Sequence, residues 1–301
     1  MNINLIEMLC PICQDKQDIT QLYPANFSYE DFNINTFTAR RIDYGCHYRI
    51  VKCKCGMVFS TPILSEEIIN KLYFDSDFTY EEEVKNIQKS YLKVLKKLFN
   101  KSLNGLSVLE FGCGNGFFLE KLLKEGIKEV KGIEPSLKAV LKANPLIKEF
   151  LLNDIIENAN LKTDYFDIVC SFHTLDHVRN PLSSIKKSYD LCKKGGVSFF
   201  ITHDVDALQA KILKDKSPVI DIEHIYLFNK STLKKLLEEA GFKDIKVVDI
   251  KNYYSLNYWI KMFPFPKLLK DNIIKIIKYL KIDDLNLGIK AGNIAILGYK
   301  Y

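Results

Sequence analysis

The chain has 301 residues, 47% of them hydrophobic and 27% charged, ordinary proportions that exclude collagen-like, low-complexity and wholly disordered classes. No run approaches the roughly 20 apolar residues of a membrane span. The start, MNINLIEMLCPIC, has neither the basic opening nor the long apolar core of a secretory signal, so a cytoplasmic protein is expected. The net charge is +6, yet only four of the 43 basic residues are arginine (Arg40, Arg41, Arg49, Arg179). Lysine is a solvated point charge rather than a phosphate-gripping fork, so nucleic acid is not the expected partner.

In chain order, the first signal is cysteine. Five of the eight cysteines lie before residue 56; Cys113, Cys170 and Cys192 are isolated. Clustered thiols in a cytosolic chain point to metal. CPIC at 10–13 sets Cys10 and Cys13 on one tight turn, and CKCG at 53–56 brings Cys53 and Cys55, with Gly56 letting the backbone fold back. Four thiolates suit Zn2+ in a closed, tetrahedral, structural site. The second pair is the tighter C-x-C, so Cys46 or His47 stays open as a substitute for one of its sulfurs. Residues 1–62 are thus a zinc-ribbon-like segment, stapled because it is too small to hold itself.

Residues 63–100 form a connector with Tyr73, Phe74, Phe78 and Tyr80, leading into a helix over 81–100. Val84, Ile87, Tyr91, Val94, Leu95 and Leu98 recur there at helical spacing. From 101 to 301 strands (107–111, 130–133, 148–152, 166–171, 196–202) alternate with helices (117–125, 136–143, 181–192). This α/β alternation implies a parallel sheet covered on both faces. Helices at 205–214 and 231–240, a strand at 245–250 and a last strand at 293–299 follow. The final two strands flank an insertion, 252–292, with Tyr253, Tyr254, Tyr258, Trp259, Phe263, Phe265 and a helix over 271–279. It is read as a packed subdomain or lid, with membrane-surface contact as the other reading.

The stretch SVLEFGCGNGFF at 107–118 takes a strand through a glycine turn into a helix, so that backbone N–H groups can approach a ligand. A dinucleotide fingerprint needs glycine at 117, which is Phe117, and no Gly-Lys-Ser/Thr follows as a P-loop would require. The pattern is instead Glu110, Gly112, Gly114 and Gly116, with Cys113 inside the turn. A carboxylate so close repels pyrophosphate and suits a ligand with a positive end. GIEP at 132–135 puts Glu134 and Pro135 at the next strand end, where an acid accepts ribose hydroxyls. NDI at 153–155 offers Asp154 to an adenine amino group and Ile155 to cover the ring. SFHTLDHVRNP at 171–181, with Phe172 and His173, follows the fourth strand.

Together these motifs resemble the class I S-adenosylmethionine-dependent methyltransferases over residues 80–250, with the last strand returning at 293–299. The resemblance implies a Rossmann-like sheet, mostly parallel with an antiparallel last strand. It also implies S-adenosyl-L-methionine held by Glu110, Gly112, Cys113, Gly114, Gly116, Glu134, Pro135, Asp154, Ile155, Phe172 and His173. The run from Glu223 to Phe242 is similar to a branch that carries an N-terminal zinc ribbon and acts on sugars, nucleotide-linked sugars and cell-surface glycans. The expected function is therefore in-line methyl transfer to a small sugar, nucleotide-sugar or glycan precursor, assisted by a histidine base. The Glu-His pair of the branch favours His224 as base with Glu223 orienting it. His203, after the fifth strand, is favoured by the rule that sites gather at the carboxyl ends of parallel strands.

The alternatives are a tRNA or rRNA methyltransferase and a cofactor-binding protein without catalysis. Against nucleic acid, residues 171–174 read SFHT rather than an Asn-Pro-Pro-Tyr type loop, a Pro-Cys nucleophile pair is missing there, and there is no arginine-rich aromatic patch.

Overall fold

The computed structural model describes residues 4–15, 17–28, 46–65, 67–69, 84–263 and 265–301. The connector aromatics Tyr73, Phe74, Phe78 and Tyr80 fall outside them, as do Arg40 and Arg41. The N-terminal segment contributes five short strands: β1 (Leu5–Ile6), β2 (Ile19–Tyr23), β3 (Ile50–Cys53), β4 (Val58–Ser60) and β5 (Ile63–Leu64). Helix α1 (Val84–Phe99) follows, then β6 (Ser107–Phe111), α2 (Phe117–Lys124), β7 (Glu129–Ile133), α3 (Leu137–Leu141), α4 (Pro145–Lys148) and β8 (Leu151–Leu152). Next come β9 (Phe166–Phe172), α5 (Pro181–Leu191), β10 (Cys192–His203), α6 (Leu208–Leu213), β11 (Tyr226–Leu227), α7 (Lys230–Glu239) and β12 (Lys243–Asp249). The chain ends with β13 (Asn252–Ser255), α8 (Leu256–Met262), α9 (Lys267–Tyr279), β14 (Asn286–Ile289) and β15 (Asn293–Tyr299).

Seven strands form the central sheet in the order β12-β15-β10-β9-β6-β7-β8. Neighbours from β10 to β8 are parallel, whereas β15 runs antiparallel to both β10 and β12. This is the expected Rossmann-like sheet with its reversed last strand. Because successive strand residues point to opposite faces, Phe199 and Phe200 of β10 enter different cores. Phe199 packs with α1 and α2, and Phe200 with α5, α7 and the N-terminal segment.

Local chemistry fixes the helix starts. Asn180 accepts from the Ser183 N–H and Pro181 opens α5, while Asn229 and Thr232 form a reciprocal capping box on α7. The same chemistry corrects the strand expected at 148–152. Asn144 caps the Leu146 N–H and Pro145 sits in the first turn, so 145–148 becomes α4 and only Leu151–Leu152 remains extended.

The N-terminal segment is not a loose appendage. Its sheet has the order β11-β4-β3-β2, so β11, from far down the chain, completes it. In the insertion, β13 and β14 pair as an antiparallel ribbon around α8 and α9, tied down by a Trp259 Nε1–H bond to the Leu287 carbonyl. Among the described residues no helix is long and apolar enough to cross a membrane.

Candidate functional site

The parallel strands β7, β6, β9 and β10 lie side by side, and their carboxyl ends carry Glu134, Gly112, His173 and His203 respectively. One edge of the sheet thus collects most of the expected site.

The penultimate residue of strand β6 is Glu110, which is buried, with one carboxylate oxygen lacking a hydrogen-bond partner. Burial, reinforced by the nearby charge of Glu134, pushes the Glu110 carboxyl well above its ordinary range. Gly112 then turns at φ +68°, and a Cβ there would lie 2.2 Å from the Thr174 hydroxyl oxygen. The Gly114 N–H donates to Glu134 Oε2 at 2.8 Å, and the Ser136 N–H donates to Oε1 at 2.8 Å. Gly116 precedes α2 and provides no side-chain cap, so the helix presents bare N–H groups to the turn. Asp154 accepts from its neighbour's N–H, while Ile155 stays exposed beside it.

Two expected cofactor contacts change. The Phe172 ring is core: it lies 4.7 Å from the ring of Tyr91, 4.8 Å from Phe118 and 5.6 Å from Phe199. The Cys113 thiol is likewise buried in that core, with its pKa driven up by burial and by Glu110. Both residues sit on a strand or turn whose alternate side chains point into packed aromatics, so they reach the cradle only through backbone.

On the acceptor side the sequence reading missed Asp176. Its side chain is 2% exposed, and His203 Nδ1 lies 2.6 Å from Oδ2. His177 Nε2 is 3.9 Å from Oδ1, and His224 Nε2 is 4.0 Å from Oδ2. Rings of His173 and His203 are 4.5 Å apart, and those of His203 and His224 4.6 Å. Burial opposes ionisation of Asp176, but the His203 hydrogen bond and the surrounding imidazoles hold its pKa well below the ordinary range. The signal available in the sequence was an acid within a histidine-rich turn after a parallel strand.

The expected Glu223–His224 pairing is corrected by the same geometry. His224 Nδ1 faces the Val219 carbonyl at 2.9 Å and Nε2 faces Asp176, so both ring nitrogens are directed by groups other than Glu223. Burial lowers the His224 pKa, with His203 adding to the effect.

In the N-terminal segment Cys10, Cys13, Cys53 and Cys55 come together, their sulfurs within 4.8 Å of one another. Cys10 and Cys55 are 3.5 Å apart and Cys13 and Cys53 3.9 Å, close to the roughly 3.8 Å between sulfurs on one tetrahedral Zn2+. The C-x-C pair therefore supplies both sulfurs. His47 is buried with Nδ1 against the Tyr48 carbonyl at 2.8 Å, outside this group, as is Cys46. Cys13 is pushed up to about 11 by burial and by Cys55 and Cys53. A bound cation reverses that balance.

Residues 83–247, more than half the chain, match the family model described as a methyltransferase domain, and the chain belongs to that family. It is an S-adenosylmethionine-dependent methyltransferase. Its donor set fits that cofactor: a buried acid with an unpaired oxygen and side-chain-free glycine backbone form the cradle. Among curated relatives it is 31% identical over 157 residues to the tRNA U34 carboxymethyltransferase of Vibrio campbellii, covering 49% of this chain and 48% of that one. The enzyme of the same name from Pseudomonas putida is 28% identical over 155 residues, covering 49% of each. The chain spans about half the length of these relatives. Among solved structures, a Haloferax volcanii methyltransferase in complex with the Trm112 methyltransferase activator superposes with a TM-score of 0.50. It is 14% identical, covering 73% of this chain and 94% of that one, a likeness of fold.

These relatives are named for tRNA, which overturns the expected sugar, nucleotide-sugar or glycan acceptor and the expectation that nucleic acid is not the partner. The error lay in discounting a lysine-rich positive charge. Lysine lacks arginine's fork, but each lysine on a phosphate still releases counterions and strengthens binding.

Proposed function

We propose that this protein methylates tRNA. The observation that carries the proposal is the match of about half the chain to relatives named for tRNA modification. The net charge of +6 agrees with a polyanionic acceptor.

In this reading Glu134 binds the ribose hydroxyls, Asp154 and Ile155 take the adenine, and Glu110 with the glycine turn faces the amino-acid end. When bound, S-adenosylmethionine supplies an electrophilic methyl group. The protein's work is then to align the acceptor, exclude water and remove one proton. His203 takes that proton in this reading. Asp176, ionised, fixes the Nδ1–H tautomer of His203, leaving Nε2 to accept. The four cysteines hold Zn2+ as a structural staple, with no step of the reaction passing through it.

The test is transfer. Purified protein is incubated with methyl-labelled cofactor and separate tRNA, rRNA and nucleotide-sugar fractions. Label in tRNA is expected. Label confined to another fraction overturns the reading.

A further inference from the structure

The cluster around Asp176 holds more donors than one proton transfer uses. One carboxylate oxygen of Asp176 and one ring nitrogen each of His177 and His224 lie within 4.8 Å of one another. Donors on a single ion with bonds of about 2.1 Å stand roughly 3.4 Å apart in tetrahedral geometry. Drawing each inward by about 1 Å or less closes such a site, a movement within reach of side-chain rotation.

Two further observations point to a cation. Asp176 Oδ1 is buried without a hydrogen-bond partner, a costly state for a carboxylate oxygen. And His224 is already oriented as a ligand. Its Nδ1–H donates to the Val219 carbonyl, which leaves Nε2, 4.0 Å from Asp176 Oδ2, as the nitrogen able to ligate. A backbone carbonyl on the far nitrogen is also the usual support of a metal-bound imidazole. The neighbouring set of His173, Asp176 and His203 is the weaker choice. There the His203–Asp176 contact of 2.6 Å is a hydrogen bond with no room for an ion. That bond instead supplies the support a ligating carboxylate receives from outside.

We infer that Asp176, His177 and His224 form a site for a divalent transition-metal ion, separate from the four-thiol cluster. Two imidazoles and one carboxylate favour zinc, cobalt, nickel or iron over magnesium or calcium. Three protein ligands leave a coordination position open, as catalytic sites do. An acceptor oxygen could occupy it beside His203.

The site can be read without any acceptor. Full-length protein produced in cobalt-supplemented medium is analysed for metal content and visible absorption. Thiolate-bound Co2+ shows intense sulfur-to-metal charge transfer, and an imidazole–carboxylate site does not. Wild type is expected to hold a second equivalent whose bands lack thiolate character. His177→Ala and Asp176→Asn should each lose that equivalent and keep the thiolate-bound one, and Cys13→Ser should do the reverse. Wild type carrying only thiolate-bound cobalt overturns the inference even if every variant misfolds. So does a second equivalent that survives in both His177→Ala and Asp176→Asn. Either result leaves the tRNA reading untouched.

Discussion

The Ser60 hydroxyl, at the end of β4, donates to the His224 carbonyl at 3.1 Å, and the Ser60 N–H donates to the next carbonyl, Ile225, at 2.8 Å. The N-terminal segment therefore holds the backbone of a histidine in the acceptor cluster. Arg179 adds a second tie, from its guanidinium to the Leu64 carbonyl at 3.0 Å.

That coupling makes the thiol cluster matter to catalysis from a distance. Cys53 is buried, and Cys53→Ser is expected to lower Tm by about 2–4 °C for each kcal/mol of stability lost. It should also cut kcat at least several-fold while leaving cofactor Kd nearly unchanged, because the cradle hangs from β6 and β7. Ser60→Ala, which removes one buried hydrogen bond, should cost about 0.5–1.5 kcal/mol and reproduce the kcat effect more weakly. Thermal melts and cofactor calorimetry on both variants check this; a matching loss of cofactor affinity would contradict it.

Glu110 gives the cofactor-free protein a pH signature. Its folded pKa lies above its unfolded one, so the folded state binds the extra proton. The contribution to stability is full below the ordinary carboxylate range and is lost as pH rises from there toward the raised value. Glu110→Gln should flatten that slope in denaturant titrations across pH. A cationic cofactor favours the carboxylate, so binding should release up to about one proton in wild type and none from this position in Glu110→Gln. Calorimetry in buffers of different ionisation enthalpy measures the release.

Gly112→Ala places a methyl group against Thr174 and forces a non-glycine residue into left-handed backbone. The backbone alone costs about 1–2 kcal/mol, and the clash must shift the turn. Cofactor affinity should fall at least tenfold in equilibrium dialysis, with the circular dichroism spectrum retained.

Phe172→Ala separates packing from binding. Removing a ring buried among Tyr91, Phe118 and Phe199 should cost about 3–5 kcal/mol. Cofactor Kd, measured well below the lowered Tm, should stay within a few-fold of wild type. A large loss of affinity there would restore Phe172 as a cofactor contact.

Much of this was legible in sequence where one short segment carries the whole signal. The glycine turn after β6, the acid after β7 and each cysteine motif taken singly work within a dozen residues, and the first two lie at the carboxyl edge of the central sheet. What was not legible depends on segments far apart in the chain. Asp176 gains meaning only when β10 delivers His203 and the turn before β11 delivers His224. Phe172 is implied as a cofactor residue by the family resemblance of the stretch after the fourth strand, but its ring packs into the core among Tyr91, Phe118 and Phe199. The pairing of β11 with β4 joins residues more than 160 apart, a distance at which local pattern is silent. The acceptor is not legible for a different reason: the run from Glu223 to Phe242 resembles sugar enzymes, and a positive charge carried by lysine lacks the arginine signature of a phosphate grip.

The central claim is that tRNA is the acceptor. Its most direct test uses tRNA from cells lacking this protein, incubated with purified protein and a cofactor bearing a deuterated methyl group, then digested and analysed by mass spectrometry. A single nucleoside carrying the deuterated methyl is expected, and His203→Ala should lose it while still binding the cofactor. Unlabelled tRNA nucleosides, from protein that binds the cofactor under the same conditions, would contradict the claim.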